Sequence, residues 1–520
     1  MIGVDETVSL TLADRFLRGL KASPDGAALR IGPDVVTYQE LHDTALRWAG
    51  SLLAGGAAGR PVGVLAGKSR TAYAGLLAVL YAGGTVVPLQ PDFPAALLSR
   101  MIQVAGLDTL IADQAGLAVL PELGDAGTAL RVLDTDGAAG RFPTIPVAAS
   151  YPEPSAPLHA SPSSIAYILF TSGSTGVPKA APISHGSFAH YFELHDARYD
   201  FESDDVFSHT FNLNFDCGVR DVFAAWGVGA TVRSVPPEAY RDLPAFLAEH
   251  GVTVWSSTPT AIWMAREMGG LSEGALGGLR WSFFLGEALR CVDAADWQAA
   301  APGSRVENLY GPTELTITVS GHRWSGAESE RLGVNGIVPI GKVHEGHDFR
   351  VVDEQGAQPS ADGELWIAGP QLASGYLNRA DEEGRFVDVD GRRWYRTGDR
   401  VRAYPDGELA FLGRMDSQVK VHGWRVELAE VDLAIRACDG VRDAVTVTRQ
   451  ADHGTELIVF YSGEERPEPA LAEGVRSVLP DTVLPSRYVH LTAFPLNANR
   501  KIDRLALQKL AAELPGAPSR

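Results

Sequence analysis

The sequence predicts a multi-layer α/β protein: a large N-terminal unit, built of α/β subdomains and a β-rich subdomain, followed by a small α+β C-terminal unit. Three observations lead there. Helical patterns alternate with short β-rich runs in residues 36–94 and again in 204–289, the texture of layered α/β domains. Past Gly336, strand-like runs at 349–352, 364–367, 393–396 and 408–412 are separated by turns containing Gly or Asp-Gly. After Arg414 a compact mix of strands and helices runs to residue 520, which sets an expected division into residues 1–415 and 416–520. A chain of 520 residues, 45% hydrophobic, is long enough for several cores.

Taken in order, residues 1–20 carry Asp5, Glu6 and Asp14 where a secretory signal needs a basic start and an apolar core, so no export signal is expected. Residues 71–91 are uncharged and of membrane-spanning length, but Gly83-Gly84 and Pro88 divide them into a helix and a short strand of buried core. A Gly/Ala-rich stretch at 124–140 and five prolines in 146–164 predict a loop-rich connection. Leu243–His250 reads as a helix among apolar strands. The net charge of −19 argues against a nucleic-acid surface and suits a cytoplasmic protein. Cys217, Cys291 and Cys438 are too few and too scattered for a disulfide framework or a zinc site, which implies a reducing compartment.

Residues 167–180, YILFTSGSTGVPKA, join a strand to a polar turn. Gly173 and Gly176 let the backbone curl. The hydroxyls of Thr171, Ser172, Ser174 and Thr175, the exposed N–H groups and the Lys179 ammonium form a concave set of donors suited to phosphate. The Walker pattern is absent, since Pro178 precedes the lysine and Ala180 follows it. On composition alone this turn reads equally as a phosphate cradle or a flexible surface loop. Further along stand ENLYGPTE at 307–314, whose final carboxylate can bind magnesium through oxygen, and YRTGDR at 395–400, which puts Asp399 on a turn suited to two ribose hydroxyls. GRMDSQVKVHGWRVEL at 413–428 and PLNANRKIDRLAL at 495–507 complete the set; taken singly, they read as a charged surface strand pair and a solvated lysine.

TSGSTGVPK resembles the phosphate loop of the adenylate-forming enzymes, the superfamily of acyl-CoA synthetases, luciferases and nonribosomal peptide synthetase adenylation domains. The other motifs follow in that family's order over about residues 36–507. The resemblance implies an enzyme that joins a carboxylate to the α-phosphate of ATP with Mg2+ present and expels pyrophosphate. It assigns the phosphates to Thr171, Ser172, Gly173, Ser174, Thr175, Gly176 and Lys179, with Thr171 also catalytic. Tyr310 stacks on adenine beside Gly311 and Thr313, Glu314 holds magnesium, and Asp399 and Arg414 hold the ribose. Asp416 falls at the hinge about which a mobile small domain turns between adenylation and thioester formation. Lys501 matches the catalytic lysine that contacts carboxylate and phosphate. The departures are Arg500 where many relatives have glycine, Leu285 where many have a second glycine, and His422 where arginine or asparagine is frequent.

FNLNFDCGVRDVFAAW at 211–226 resembles the start of the acyl pocket, with Asp216 where amino-acid-activating members pair an aspartate with the substrate ammonium. A buried carboxylate without a cation is costly, which favours that role; the alternative is a helix cap. By the same resemblance the pocket holds Asp216, Cys217, Arg220, Ser256, Phe283, Leu285, Leu309, Ile317, Thr318 and Lys501. Arg220 lies one helical turn beyond Asp216 and Cys217, and Asp221 is expected to point elsewhere and leave it unneutralised. Bulky Phe283, Leu285 and Leu309 imply a shallow pocket. A small amino acid with an acidic or strongly polar end fits both. LGGLR at 276–280 lacks a carrier serine and nothing carrier-like follows Lys501, so the expected acceptor is a phosphopantetheinylated carrier protein acting in trans. A free-standing monomer or weak dimer is expected, with no nucleic acid or membrane as partner. A small-molecule acyl-CoA synthetase and a catalytically inactive nucleotide-binding scaffold are the competing readings.

Overall fold

A computed structural model describes residues 11–515 apart from 125–126, 128–129, 136–141, 148–155, 172–176, 354–360, 416–417, 453, 477–478 and 496–501. Two large sheets organise the first four-fifths of the chain. One has seven strands in the order Thr144–Pro146, Arg131–Asp134, Thr109–Ala112, Pro61–Leu65, Thr85–Leu89, Ile165–Thr171 and Lys179–Ser184. All neighbours are parallel except the last pair, where the chain turns back on itself through the polar turn. The uncharged run resolves as expected into helix Arg70–Tyr81 and strand Thr85–Leu89. Every helical residue from Ala72 to Tyr81 is buried, as an all-round apolar helix requires.

The second sheet has fourteen strands and two characters. Its parallel part runs through Val206–His209, Val254–Ser257, Trp281–Phe284 and Arg305–Tyr310. Its antiparallel part contains Asp348–Val352, Asp362–Ala368, Arg392–Ala403 and Glu408–Arg414. These are the strands of the expected β-rich subdomain. They have their own apolar cluster around Leu365, Ile367, Val401 and Leu409, yet they join the parallel part edge to edge through Gly341–Val343 and Ser320–Arg323. Local alternation predicts such strands but is silent on which sheet edge accepts them.

Beyond Arg414 the strands belong to other sheets. Gln418–Val421 and Trp424–Glu427 form a hairpin. Its two-residue turn is His422-Gly423, with φ of 49° and 83°. Val441–Ala451, Gly454–Gly463 and Arg487–His490 form a three-stranded sheet. Successive residues of Gly454–Gly463 alternate faces: Leu457, Val459 and Tyr461 pack with helices Leu428–Arg436 and Glu468–Arg476, and Ile458 and Phe460 with helix Arg504–Glu513. No described helix is long and apolar enough to cross a membrane.

Candidate active site

The carboxyl ends of the parallel strands Trp281–Phe284 and Arg305–Tyr310 open into a cleft, where ligands of open α/β sheets bind. Thr171 ends its strand there, Asp216 begins helix Asp216–Val228 there, and the C-terminal hairpin closes it from the other side. Of the residues singled out in the sequence, Thr171, Asp216, Cys217, Leu285, Tyr310, Gly311, Thr313, Ile317, Thr318, Asp399 and Arg414 line this cleft.

On one wall, Asp399 lies not on the expected turn but within the strand Arg392–Ala403, where it is the cross-strand partner of Arg414. Arg414 Nη1 donates to Asp399 Oδ1 at 2.8 Å, and the Tyr310 hydroxyl donates to Oδ2 at 2.5 Å. Burial, then the Asp399 charge, push the Tyr310 phenol well above its ordinary range, so it stays a donor. Asp399 is thus held at the cleft by a cation and a phenol. Gly311 must be glycine: a Cβ there would lie 2.4 Å from the Ile317 carbonyl oxygen. Above it Thr316 and Ile317 both have left-handed backbones, φ 55° and 71°, which for non-glycine residues costs about 1–3 kcal/mol each.

Glu314 lies in the turn Thr313–Leu315, fully buried. Its carboxylate accepts from Arg425 Nη1 at 2.9 Å and from the Tyr376 hydroxyl, and Arg425 Nη2 donates to the Tyr395 hydroxyl at 3.2 Å. Burial would raise this carboxyl, but Arg425 and Tyr376 together hold it below the usual range. The residue expected to hold magnesium is therefore ion-paired to the C-terminal hairpin in this arrangement. Among the described residues no group of three or more His, Cys, Asp or Glu side chains is placed to hold a metal. Lys179 stands nearby, its ammonium 5.5 Å from the centre of the Tyr376 ring.

On the opposite wall, Phe215 is the N-cap and Asp216 the first helical residue. The Asp216 carboxylate accepts the Cys217 N–H at 2.8 Å and the Cys217 thiol at 3.4 Å. Burial raises its pKa, opposed by those two bonds and by the charge of Lys420. The helix terminus favours the anion.

Arg220 differs from expectation. Its Nη1 donates to Asp221 Oδ1 at 2.8 Å and to Ser256 Oγ at 3.3 Å, and its guanidinium covers the Phe283 ring at 4.3 Å. Both charged side chains are wholly buried. Successive Cβ atoms on a helix do diverge, but the long arginine folds back until its tip meets the neighbour. Burial pulls the Arg220 guanidinium down, but Tyr191 and Asp221 outweigh it, so it stays charged. Asp221 is pushed up to about 6 by burial, against the pull of Arg220. Arg220, Ser256 and Phe283 do not line the cleft, and Leu309 lines the cavity adjoining it, so of the three bulky residues only Leu285 meets the cleft itself.

Ser172, Gly173, Ser174, Thr175, Gly176, Asp416 and Lys501 lie outside the described residues. The strand pair read in 413–428 is present as the hairpin, but as a wall of the cleft and not on the surface. Lys420, His422, Gly423, Trp424 and Arg425 line the cleft, where a surface strand pair was the alternative. Trp424 packs on Phe93 and Phe215, with ring centroids 5.3 and 4.7 Å away, and the Gly423 N–H donates to Glu287 at 2.8 Å. A tryptophan beside a hairpin turn was the available signal, since a large aromatic there must be covered by something.

The sequence profile of the family described as "AMP-binding enzyme" matches residues 16–377. The chain is 31% identical over 512 residues to the L-proline--[L-prolyl-carrier protein] ligase of Pseudomonas fluorescens, covering 96% of this chain and 99% of that protein. It is 53% identical to IdnL7, whose crystal structure matches with a TM-score of 0.75 over 97% of this chain and 99% of that one. It is 27% identical to the Vibrio cholerae adenylation domain AlmE, solved in complex with glycyl-adenosine-5′-phosphate, with a TM-score of 0.84 over 98% and 99% of the two chains. The chain spans 13 to 44% of the length of the first curated relatives it matches.

Proposed function

Since the chain belongs to the AMP-binding enzyme family, we propose that it adenylates an amino acid with ATP and then passes the aminoacyl group to the phosphopantetheine thiol of a carrier protein. The observation that carries this reading is Asp216, a buried carboxylate on the cleft wall that makes no ion pair with any described residue. The charge that opposes its burial is the more distant one of Lys420, and a substrate ammonium would supply the paired cation that a buried carboxylate needs. A solved adenylation domain holding a glycyl adenylate and a similar prolyl-carrier ligase support both halves of the proposal.

In this reading the substrate carboxylate attacks the α-phosphorus of ATP and takes its adenylyl group, with pyrophosphate leaving. Tyr310 and Gly311 take the adenine, and Asp399, held by Arg414, takes the ribose hydroxyls. The close approach of Gly311 to the Ile317 carbonyl excludes any side chain at position 311. Thr171, Thr313, Lys179 and the polar turn 172–176 neutralise phosphate, and Lys501 completes the reacting centre. Glu314 would hold Mg2+ once Arg425 has withdrawn, because a carboxylate already paired with a guanidinium is a poor metal ligand. The division into residues 1–415 and 416–520, turning about Asp416, provides that withdrawal.

The side chain of the amino acid is small and uncharged. The acidic reading rested on an unneutralised Arg220, and Asp221 already neutralises it. Cys217, Leu285, Ile317 and Thr318 offer a substrate side chain no cation, and of the charges around it Lys420 on the same cleft feels the Asp399 carboxylate most strongly. The test is ATP–pyrophosphate exchange by wild type and Asp216→Ala. The account predicts a loss of about a hundredfold or more for the amino acid in the variant, with little loss for the acid lacking the amine. Preference for an acidic amino acid, or equal losses for both acids, would count against it.

A further inference from the structure

The backbone that presents Ile317 and Thr318 to the cleft is not self-supporting. Thr316 and Ile317 are β-branched residues with φ of 55° and 71°, where such residues are rare. The groups that hold them belong to one residue of a different element. Gln371 follows strand Asp362–Ala368 and is fully buried. Its Nε2 donates to the carbonyls of Leu315 at 3.1 Å, Thr316 at 3.0 Å and Thr318 at 3.0 Å, and its backbone carbonyl accepts the Thr316 hydroxyl at 2.7 Å. Three carbonyls converge on one amide nitrogen, and two of them flank the left-handed pair.

We infer that Gln371 is a positioning residue for amino-acid selection: it locks the left-handed turn at Thr316 and Ile317, and so fixes the wall against which the substrate side chain fits. Gln371 does not itself line the cleft, so it acts only through that wall. A few residues on, Ala373 N–H donates to the Glu314 carbonyl at 2.8 Å and the Tyr376 hydroxyl to the Glu314 carboxylate. Those two contacts brace the Glu314 side of the turn, whereas the Gln371 bonds reach the side that carries Ile317 and Thr318. The inference rests on reading that wall as the acyl pocket of the proposed function.

The test is pyrophosphate exchange by Gln371→Leu, with amino acid and ATP varied separately. KM for the amino acid should rise about tenfold or more, KM for ATP should move by less than about threefold, and discrimination against an amino acid one methylene larger should fall. Thr316→Gly added to that variant should recover part of the amino-acid KM, because glycine takes φ 55° without strain. Should Gln371→Leu fail to fold, Gln371→Glu keeps the shape but turns an acceptor toward the three carbonyls and carries the same readings. Equal rises in both KM values, or a lower melting temperature with both KM values unchanged, would overturn the inference. A wild type that activates only acids without an amine would overturn the functional reading alone, and the same split, read on that acid, would still decide the role of Gln371.

Discussion

Removing the Arg220 guanidinium would leave the Asp221 carboxylate buried beside Ser256 without its cation. Breaking a buried pair in this way costs about 3–5 kcal/mol, so Arg220→Leu should melt at a clearly lower temperature, and Arg220→Leu combined with Asp221→Leu should recover most of the loss. A variant of unchanged stability and altered acid preference would return Arg220 to the substrate. Asp399→Asn tests the nucleotide wall: the amide oxygen still accepts, but the attraction to Arg414 is gone, so KM for ATP should rise about tenfold while KM for the amino acid changes little. Equal movement of both would place Asp399 elsewhere in the reaction. Asp216 and Tyr310 were legible because a helix start and a strand end fix where their side chains go, whereas Asp399 reaches the cleft from within a strand and not from the expected turn. The partner of Arg220 was not legible, because the reach of a long side chain depends on what surrounds it, here Phe283 and Ser256 from two strands far along the chain.

The hairpin Gln418–Val421 and Trp424–Glu427 is the element that closes the cleft. Its apolar face, with Val421 and Val426, packs in the core of the small unit. Its Lys420 and Arg425 line the cleft. The alternation of valines with lysine and arginine was legible in the sequence. What the polar face meets was not, since water and a deep cleft are both acceptable to a charged residue when a buried carboxylate such as Glu314 waits there. Arg425→Ala would remove the link between hairpin and Glu314, and we expect carrier thioester formation to slow about tenfold or more while pyrophosphate exchange stays within about threefold. Equal slowing of both half-reactions would show that the contact serves adenylation as well. The β-rich strands show the same limit at larger size: their alternation was readable, whereas their attachment to the parallel strands was not.

For the molecule as a whole, buried histidines couple stability to pH, His185 and His195 with His209 and His344. Burial lowers His185 to about 4, and His195, against the pull of Asp196, to about 3. His185 and His195 both stay neutral in the fold and take up a proton near pH 6.5 only when unfolded. The unfolded chain then binds more protons between those limits, so stability is whole above about pH 6.5 and is lost as pH falls. One pH unit below 6.5 the loss is about 1.4 kcal/mol for each histidine. Melting temperatures at pH 7.5 and 5.5 should show it, and His195→Gln should flatten the profile; an unchanged slope would assign the acid sensitivity to carboxylates. The central claim concerns the substrate, and one measurement meets it directly: wild-type ATP–pyrophosphate exchange over a panel of amino acids, each paired with the acid that lacks only the amine. The account predicts that a small uncharged amino acid is preferred over every acidic one, and over its own deaminated partner by about a hundredfold or more. Exchange as fast with the deaminated partner would contradict it, because Asp216 would then have no ammonium to meet.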